Sequence, residues 1–462
     1  MSGIKRQITS KEVIPSSVEV KPRGNEGMVD PRVAKEKSES LMFNLDLMEE
    51  ICERENLIDA LDRVKENAGS PGVDGMTTEK LTEYLITNWP SIKKQLLEGS
   101  YEPKPVKRVE IPKPNSKDKR KLGIPCVLDR FIQQAILQIL QIGFDPTFSE
   151  SSFGFRPGRS AHQAVTQAQS FLEQGYNFVV DIDLAQFFDR VNHDKLMSKL
   201  ADHIQDKRVL KLIRLYLNAG IMENGLISYS DKGTPQGGPL SPLLSNIVLD
   251  ELDKELEERG HKFARYADDC NIYVKSERAG KRVMDSISDF IFRRLKLQVN
   301  EEKSAVARPC ERKFLGFSFT SGKNPNRRKI APQAIKKFKA KVRQMTNRNH
   351  SIEFEIRVMR LSDYIRGWKG YFQFCQTPSV LRDLDSWIRR RLRSCIWKQW
   401  KVYKKRKAEL LKRGINEELA QITAWSPKGP WKMCNTPGMR IAFPNKFFEL
   451  LGLPKLENRL NI

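Results

Sequence analysis

The strongest constraint on this chain is an acidic pair set between two short apolar runs. In FARYADDCNIYV, residues 263–267 and 270–275 read as strands, and only Asp268 and Asp269 lie between them, which suits a tight hairpin. Upstream, FVVDID at 178–183 alternates. Phe178, Val180 and Ile182 share one face of a strand, and Val179, Asp181 and Asp183 share the other. An Asp-Asp pair taken alone is most often just a turn. Asp183, however, closes a mostly apolar strand, and three carboxylates at one end of a sheet repel unless a cation sits among them. Hard oxygen donors suit Mg²⁺. Two such ions about 4 Å apart can activate a 3′-hydroxyl and stabilise a leaving pyrophosphate.

Around this centre the chain reads as α+β. Apolar residues recur at helical spacing over 41–67, and SPGVDG at 70–75 ends that unit. Helices are expected over 78–97 and 129–142, from His193 past Ile204, over 240–258 and over 281–295. Residues 101–125 read as extended strands around a basic tip, PKPNSKDKRK, and short strands are expected near 305–319. The order strand, helix, helix, hairpin, helix, strand resembles a split βαβ plan with added helices. Residues 1–40 are polar and read as a mobile arm. No apolar run approaches the length of a membrane span, and no secretory signal opens the sequence. The seven cysteines are scattered with no CxxC pair, so reduced thiols and a cytoplasmic, nucleoid-associated protein are expected.

Charge is concentrated towards the C-terminal half. The 462 residues carry a formal net charge of +24. Between Lys323 and Lys407 there are 25 Lys or Arg against 5 Asp or Glu. A surplus of that density repels itself unless a polyanion arrives, so this stretch is expected to meet nucleic acid. The residues singled out are Arg327, Arg328, Lys336, Lys337, Lys339, Lys341, Arg366, Lys369, Arg389, Arg390, Arg391 and Arg393. The interleaved aromatics, among them Phe338, Trp368, Trp387, Trp397 and Trp400, are expected to be core.

The motifs occur in one order: VVDIDLAQFFDRVNH, GTPQGGPLSPLLSNIVLDELD, RYADDCNIYVKS, VNEEKS and FLGF. SPGVDGMT, KRKLGIPCVLDRFIQQAI and FGFRPGRSAHQAV precede or flank them, and LSDYIRGWKGYF follows. Together they resemble a group II intron-encoded reverse transcriptase and maturase, of the endonuclease-lacking, class C-like type, over roughly residues 41–462. The resemblance implies a right-hand polymerase: fingers at 41–176, a palm with an antiparallel sheet at 177–322, a maturase-specific helical thumb at 323–400, and a small C-terminal DNA-binding domain at 401–462.

The resemblance also implies roles. Asp183, Asp268 and Asp269 would be catalytic and, with the Leu184 carbonyl, would hold two Mg²⁺ ions; Asp181 would stand behind them. Phe188 would lie under the incoming sugar and reject a ribose 2′-hydroxyl, with Phe187 in the core. Lys113 and Arg120 would hold the triphosphate, Gln236 of PQGG would lie against the nucleotide, and Lys303 would sit near the centre. His162 and His193 are read as packing or helix-start residues. The implied partners are group II intron RNA, an RNA template with a DNA or RNA primer, target DNA and dNTPs, with no membrane; monomer and homodimer both stay open. With no CxxC and a last histidine at His350, an endonuclease domain is expected to be lacking. Three rival readings stand beside this one: an RNA-dependent RNA polymerase; a reverse transcriptase freed from its intron and reused in repair or defence; and an RNA-binding maturase with an inactive polymerase, against which the intact Asp183, Asp268 and Asp269 speak.

Overall fold

The computed structural model describes residues 43–112, 119–223, 226–228, 233, 237–350 and 352–457. They fall into two compact units. The first takes the residues up to Ala168 together with Tyr176–Ala307, and the second takes Gln169–Gly175 and Arg308–Ile462.

The first unit opens with α1 (Leu47–Ile51), α2 (Arg54–Asn67) and α3 (Thr78–Glu98). In α3 Leu81, Leu85, Trp89, Ile92 and Leu96 are buried, the i, i+4 stripe that a helix presents to a core. Strands β1 (Val106–Pro112) and β2 (Lys119–Ile124) pair antiparallel, with Val106 opposite Ile221 on the far side of β1. Helix α4 (Val127–Phe144) is buried on nearly every turn and runs through the core. Next come α5 (Ala161–Glu173), whose residues from Gln169 on belong to the second unit, β3 (Phe178–Asp183), α6 (Phe187–Arg190), α7 (His193–Ala201), α8 (Lys207–Asn218), β4 (Ile221–Glu223) and β5 (Leu226–Ser228). The unit closes with α9 (Ser241–Glu258), β6 (Lys262–Tyr266), β7 (Asp269–Val274), α10 (Glu277–Phe290) and β8 (Ala305–Ala307). One sheet has the order β2-β1-β4-β5 and the other β6-β7-β3-β8. The second is antiparallel throughout, with β3 inside it, so apolar β3 is covered by neighbours on both edges.

The second unit carries β9 (Phe317–Phe319) and β10 (Arg328–Ile330), followed by α11 (Pro332–Met345), α12 (Phe354–Phe372) and α13 (Pro378–Gln399). Short helices follow: α14 (Tyr403–Leu411), α15 (Glu417–Trp425), α16 (Pro430–Met433), α17 (Pro437–Ala442) and α18 (Asn445–Leu450). Its core is aromatic, as expected. The Phe338 and Trp368 rings lie 4.2 Å apart, Trp368 and Phe372 lie 4.7 Å apart, and Trp397, Phe443 and Phe448 are buried. All seven cysteines are free. Among the described residues no helix is long and apolar enough to cross a membrane.

Two expectations need correcting. Helix α7 stops at Ala201 rather than passing Ile204. Ile204 leaves the helix to bridge to Phe43, and Asp206 starts α8 by accepting the Arg208 N–H. The hairpin turn is shifted by one residue: β7 already begins at Asp269, so the two turn residues are Ala267 and Asp268. The reason is the close of the ladder, in which Tyr266 is paired with Asp269. The expected arm at 1–40 lies outside the described residues.

Candidate active site

The site is built on the inner strand. In the β3–β7 ladder Asp183 stands directly opposite Asp269, which brings the end of FVVDID against the start of the acidic hairpin. Residues so placed have Cα atoms about 4.5–5.5 Å apart and share one face of the sheet. Asp268 is the last turn residue, adjacent to Asp269. Asp181, two residues back on the same face, is 8% exposed, whereas Asp183, Asp268 and Asp269 are all half-buried.

The VNEEKS segment holds Asp183 in place. Its Ser304 hydroxyl accepts the Asp183 N–H at 3.0 Å, and the Asn300 N–H donates to the Asp183 carbonyl at 2.8 Å. The Lys303 ammonium lies 3.2 Å from Asp183 Oδ1, both side chains being substantially solvated. Leu184 faces Val299 in an isolated bridge whose hydrogen bonds are made by its neighbours, Asp183 and Ala185. That pattern turns the Leu184 N–H and carbonyl away from residues 298–300.

The hairpin turn is anchored from below. Of its two residues only Ala267 has positive φ (58°), the II′ pattern whose first position favours glycine. Its carbonyl accepts from Arg265 Nη1 at 3.0 Å. Arg265 is fully buried and spends its remaining donors on Asp253, Asn246 and Ser152. Asn246 Nδ2 in turn donates to the Gly154 carbonyl at 2.9 Å. Gly154 lies so close that a Cβ there would stand 2.3 Å from the Ala267 nitrogen. The sequence reading assigns no role to Arg265, Asp253 or Gly154. The available signal was an arginine inside an apolar strand, which must find a buried acid.

Whether these residues fit divalent ions can be tested on their donors. Two carboxylates on cross-strand partners, a third beside them and a backbone carbonyl make a hard-oxygen set, which is what Mg²⁺ takes. Among the described residues no three His, Cys, Asp or Glu side chains converge as a metal-holding group. Here the charge of Asp183 is balanced by Lys303. The donor chemistry therefore fits, and the β3–β7 register sets two of the carboxylates, Asp183 and Asp269, opposite one another.

Beside the carboxylates, Phe187 is 2% exposed in the core, and Phe188 is half-buried. Phe188 lines a cavity of about 410 Å³ with Val64, Arg130, Gln134, Phe155 and Gly237. Arg130 and Gln134 are four apart on α4 and were not singled out from sequence. Arg130 donates from Nη2 to the Ser70 carbonyl at 2.7 Å, while its buried Nε has no acceptor among the described residues. The PQGG glycines pack closely against their protein neighbours. Gly237 has φ 136°, and a Cβ there would lie 2.5 Å from the Gly123 carbonyl oxygen; at Gly238 it would lie 2.4 Å from Gln133 Oε1. Its own backbone and that of Gly123 demand glycine at 237, whereas at 238 the obstructing atom is the end of a side chain.

Lys113 and Gln236 lie outside the described residues, as does the Arg120 side chain. His193 is a packing residue, with Nε2 at 2.5 Å from the Gly233 carbonyl and Nδ1 at 3.1 Å from Asn218. The twelve basic residues divide. Arg327, Lys336, Lys337, Lys341 and Arg366 are exposed, and Lys339 and Lys369 are half-buried. Arg328 donates to Gln169 and stacks 3.9 Å above Phe374; Arg391 is tied to Thr346. Arg389 and Arg393 are buried, at 3% and 8% exposure.

Comparison with known proteins follows the same lines. Residues 111–319 match the reverse transcriptase (RNA-dependent DNA polymerase) family, and residues 335–414 match the group II intron maturase-specific domain. The chain is 33% identical over 277 residues to Protein YkfC of Escherichia coli (strain K12), covering 52% of this chain and 72% of that protein. The chain belongs to the group II intron-type reverse transcriptase and maturase family. It is also 31% identical over 310 residues to the group II intron-encoded protein LtrA of Lactococcus lactis subsp. cremoris. That match covers 53% of this chain and 50% of LtrA. A chain of a partial Cas6-RT-Cas1–Cas2 complex is 27% identical, with a TM-score of 0.36, over 53% of this chain and 42% of that one. In this chain the segment that matches the reverse transcriptase family carries the paired acids, and the segment that matches the maturase-specific domain is basic and helical.

Proposed function

We propose that this protein copies a group II intron RNA into DNA during retrohoming, and binds the same RNA to assist its splicing. The observation that carries the reading is the register that sets Asp183 opposite Asp269 at the end of β3. In this reading the fingers span 41–176, the palm 177–322, the thumb 323–400 and a DNA-binding region 401–462. Asp183, Asp268, Asp269 and the Leu184 carbonyl would hold two Mg²⁺ ions, which when bound supply activation of the primer 3′-hydroxyl and stabilisation of the leaving pyrophosphate.

The chain's own residues do the rest. Ser304 and Asn300 fix the backbone of Asp183, and the Arg265 network fixes the turn that carries Asp268. Phe188 lines the cavity described above, and its ring would collide there with a ribose 2′-hydroxyl. Lys113 and Arg120 would hold the triphosphate and Gln236 the nucleotide. Lys303, whose ammonium lies at Asp183, would contribute a cation for phosphate oxygens at the site. Exposed cations of α11, with Arg327 and Arg366, would grip intron RNA, template–primer and target DNA.

Primer extension on an RNA template tests this. Asp269→Ala or Asp268→Ala should abolish cDNA synthesis while intron RNA binding stays within a few fold. Phe188→Ala should keep dNTP use and raise rNTP incorporation. Wild-type protein that extends with rNTPs as well as with dNTPs would support the RNA polymerase reading instead.

A further inference from the structure

The second unit contains a cavity of about 380 Å³ whose wall is mostly charged. It lies between α13 and the C-terminal segment, and no residue assigned above to polymerisation lines it. Three of its cations are neutralised in place. Arg389 Nη1 lies 2.8 Å from Asp385, Arg382 lies 3.0 Å from Glu457, and Lys455 lies 3.1 Å from Glu449. These pairs use all three acids of the wall.

Arg390, Arg393 and Arg440 are left with no carboxylate among the described residues. Arg390 donates to the Trp431 carbonyl at 3.1 Å and stacks 4.1 Å above that ring. Arg393 Nε donates to the Phe443 carbonyl at 2.8 Å, and its Nη2 to Asn445 at 3.3 Å. Arg440 is exposed at the rim. Two guanidiniums are thus held in position by neutral acceptors, at the cost of crowding like charge. Burial, followed by the nearby Arg440 and Arg389, pushes the Arg393 pKa down. A second observation points the same way: Arg389, 3% exposed, and Arg390 each have a buried Nε with no acceptor among the described residues. Buried donors of that kind normally find a partner.

We propose that this cavity, walled by Arg390, Arg393 and Arg440, binds a phosphate group bearing two or more negative charges. Guanidinium forks match phosphate oxygens in pairs, and a polyvalent anion balances a surplus that a single carboxylate would leave unmet. A recess suits a phosphate that is not flanked by sugars on both sides. Two sources share that chemistry: a free diphosphate, and the 5′-phosphate at the end of a nucleic-acid strand. The inference does not rest on the polymerase reading, because no residue of the first unit enters it.

Calorimetric titration of the full chain with pyrophosphate, in EDTA so that metal cannot capture the anion at the carboxylates, tests the site. One-to-one binding is expected. Arg440→Gln, an exposed change, should weaken it about tenfold or more. Lys428→Gln removes an exposed charge outside the cavity and should change it less than twofold, with both variants melting within a few degrees of wild type. Anisotropy with 5′-phosphorylated and 5′-hydroxyl 12-mers then separates the sources. A preference for the phosphorylated strand that Arg440→Gln abolishes assigns the site to strand ends; no preference, with pyrophosphate binding intact, assigns it to the free anion. Absence of pyrophosphate binding, or equal losses in Arg440→Gln and Lys428→Gln, overturns the proposal.

Discussion

Ala267 holds a backbone conformation that glycine adopts at less cost, and the residues around it explain how that is tolerated. Its carbonyl is fixed by Arg265, and Arg265 is fixed by Asp253, Asn246 and Ser152, so every guanidinium donor is used. A fully satisfied buried arginine holds a turn rigidly, whereas removing one partner would leave a charge stranded at about 3–5 kcal/mol. Gly154 completes the arrangement by leaving room for the turn's main chain. Gly154→Ala must push that backbone aside, since the obstructing atom is the Ala267 nitrogen. Displacement of about 1 Å at a reacting centre can cost roughly 100-fold. Steady-state primer extension by Gly154→Ala should therefore fall at least tenfold, while circular dichroism keeps the wild-type helix content. Unchanged extension would mean that the turn does not need its present position.

At the scale of elements, α4 shows how a core helix carries a titrating group. Asp129 is 1% exposed; it accepts the Tyr101 hydroxyl at 2.9 Å and the Lys104 N–H at 3.2 Å. Burial outweighs both bonds and raises its pKa to about 6. A carboxyl with a raised folded pKa favours the folded state while protonated. Its contribution is complete below about pH 4, and is lost as pH rises through 6. Other acids, such as Asp206, are shifted downward, so wild-type stability alone mixes opposite trends. The comparison with Asp129→Asn isolates one group. Between pH 4 and 7, urea unfolding should show wild type losing about 2–3 kcal/mol relative to that variant. Parallel pH profiles would mean that Asp129 titrates in the folded protein as it does in the unfolded chain.

Over the whole molecule, charge and chemistry are divided between the two units. Paired acids sit in the first, and most of the +24 surplus sits in the second. Burial then decides which cations can serve a polyanion. Arg328 and Arg391 are committed to their own unit, and Arg389 and Arg393 are buried, while Lys336, Lys337 and Lys341 stand exposed along α11. If those three each meet a phosphate, replacing all of them by Gln lowers the slope of log affinity against log salt for structured RNA by about 2–3. Filter binding over a salt series measures it. An unchanged slope would place the RNA on other cations.

The paired acids, their order along the chain, the strand that ends in Asp183 and the basic aromatic C-terminal half could all be read from the sequence. These are local patterns, in which residue type and spacing within a few positions fix the meaning. Which residue begins β7, that Arg265 and Gly154 support the turn, that the PQGG glycines answer to Gly123 and Gln133, and that Arg389 and Arg393 are buried could not. The start of β7 follows from the pairing of Tyr266 with Asp269; the others depend on neighbours distant in the sequence, and only the closed tertiary fold sets a buried charge beside its partner or a main chain against a glycine.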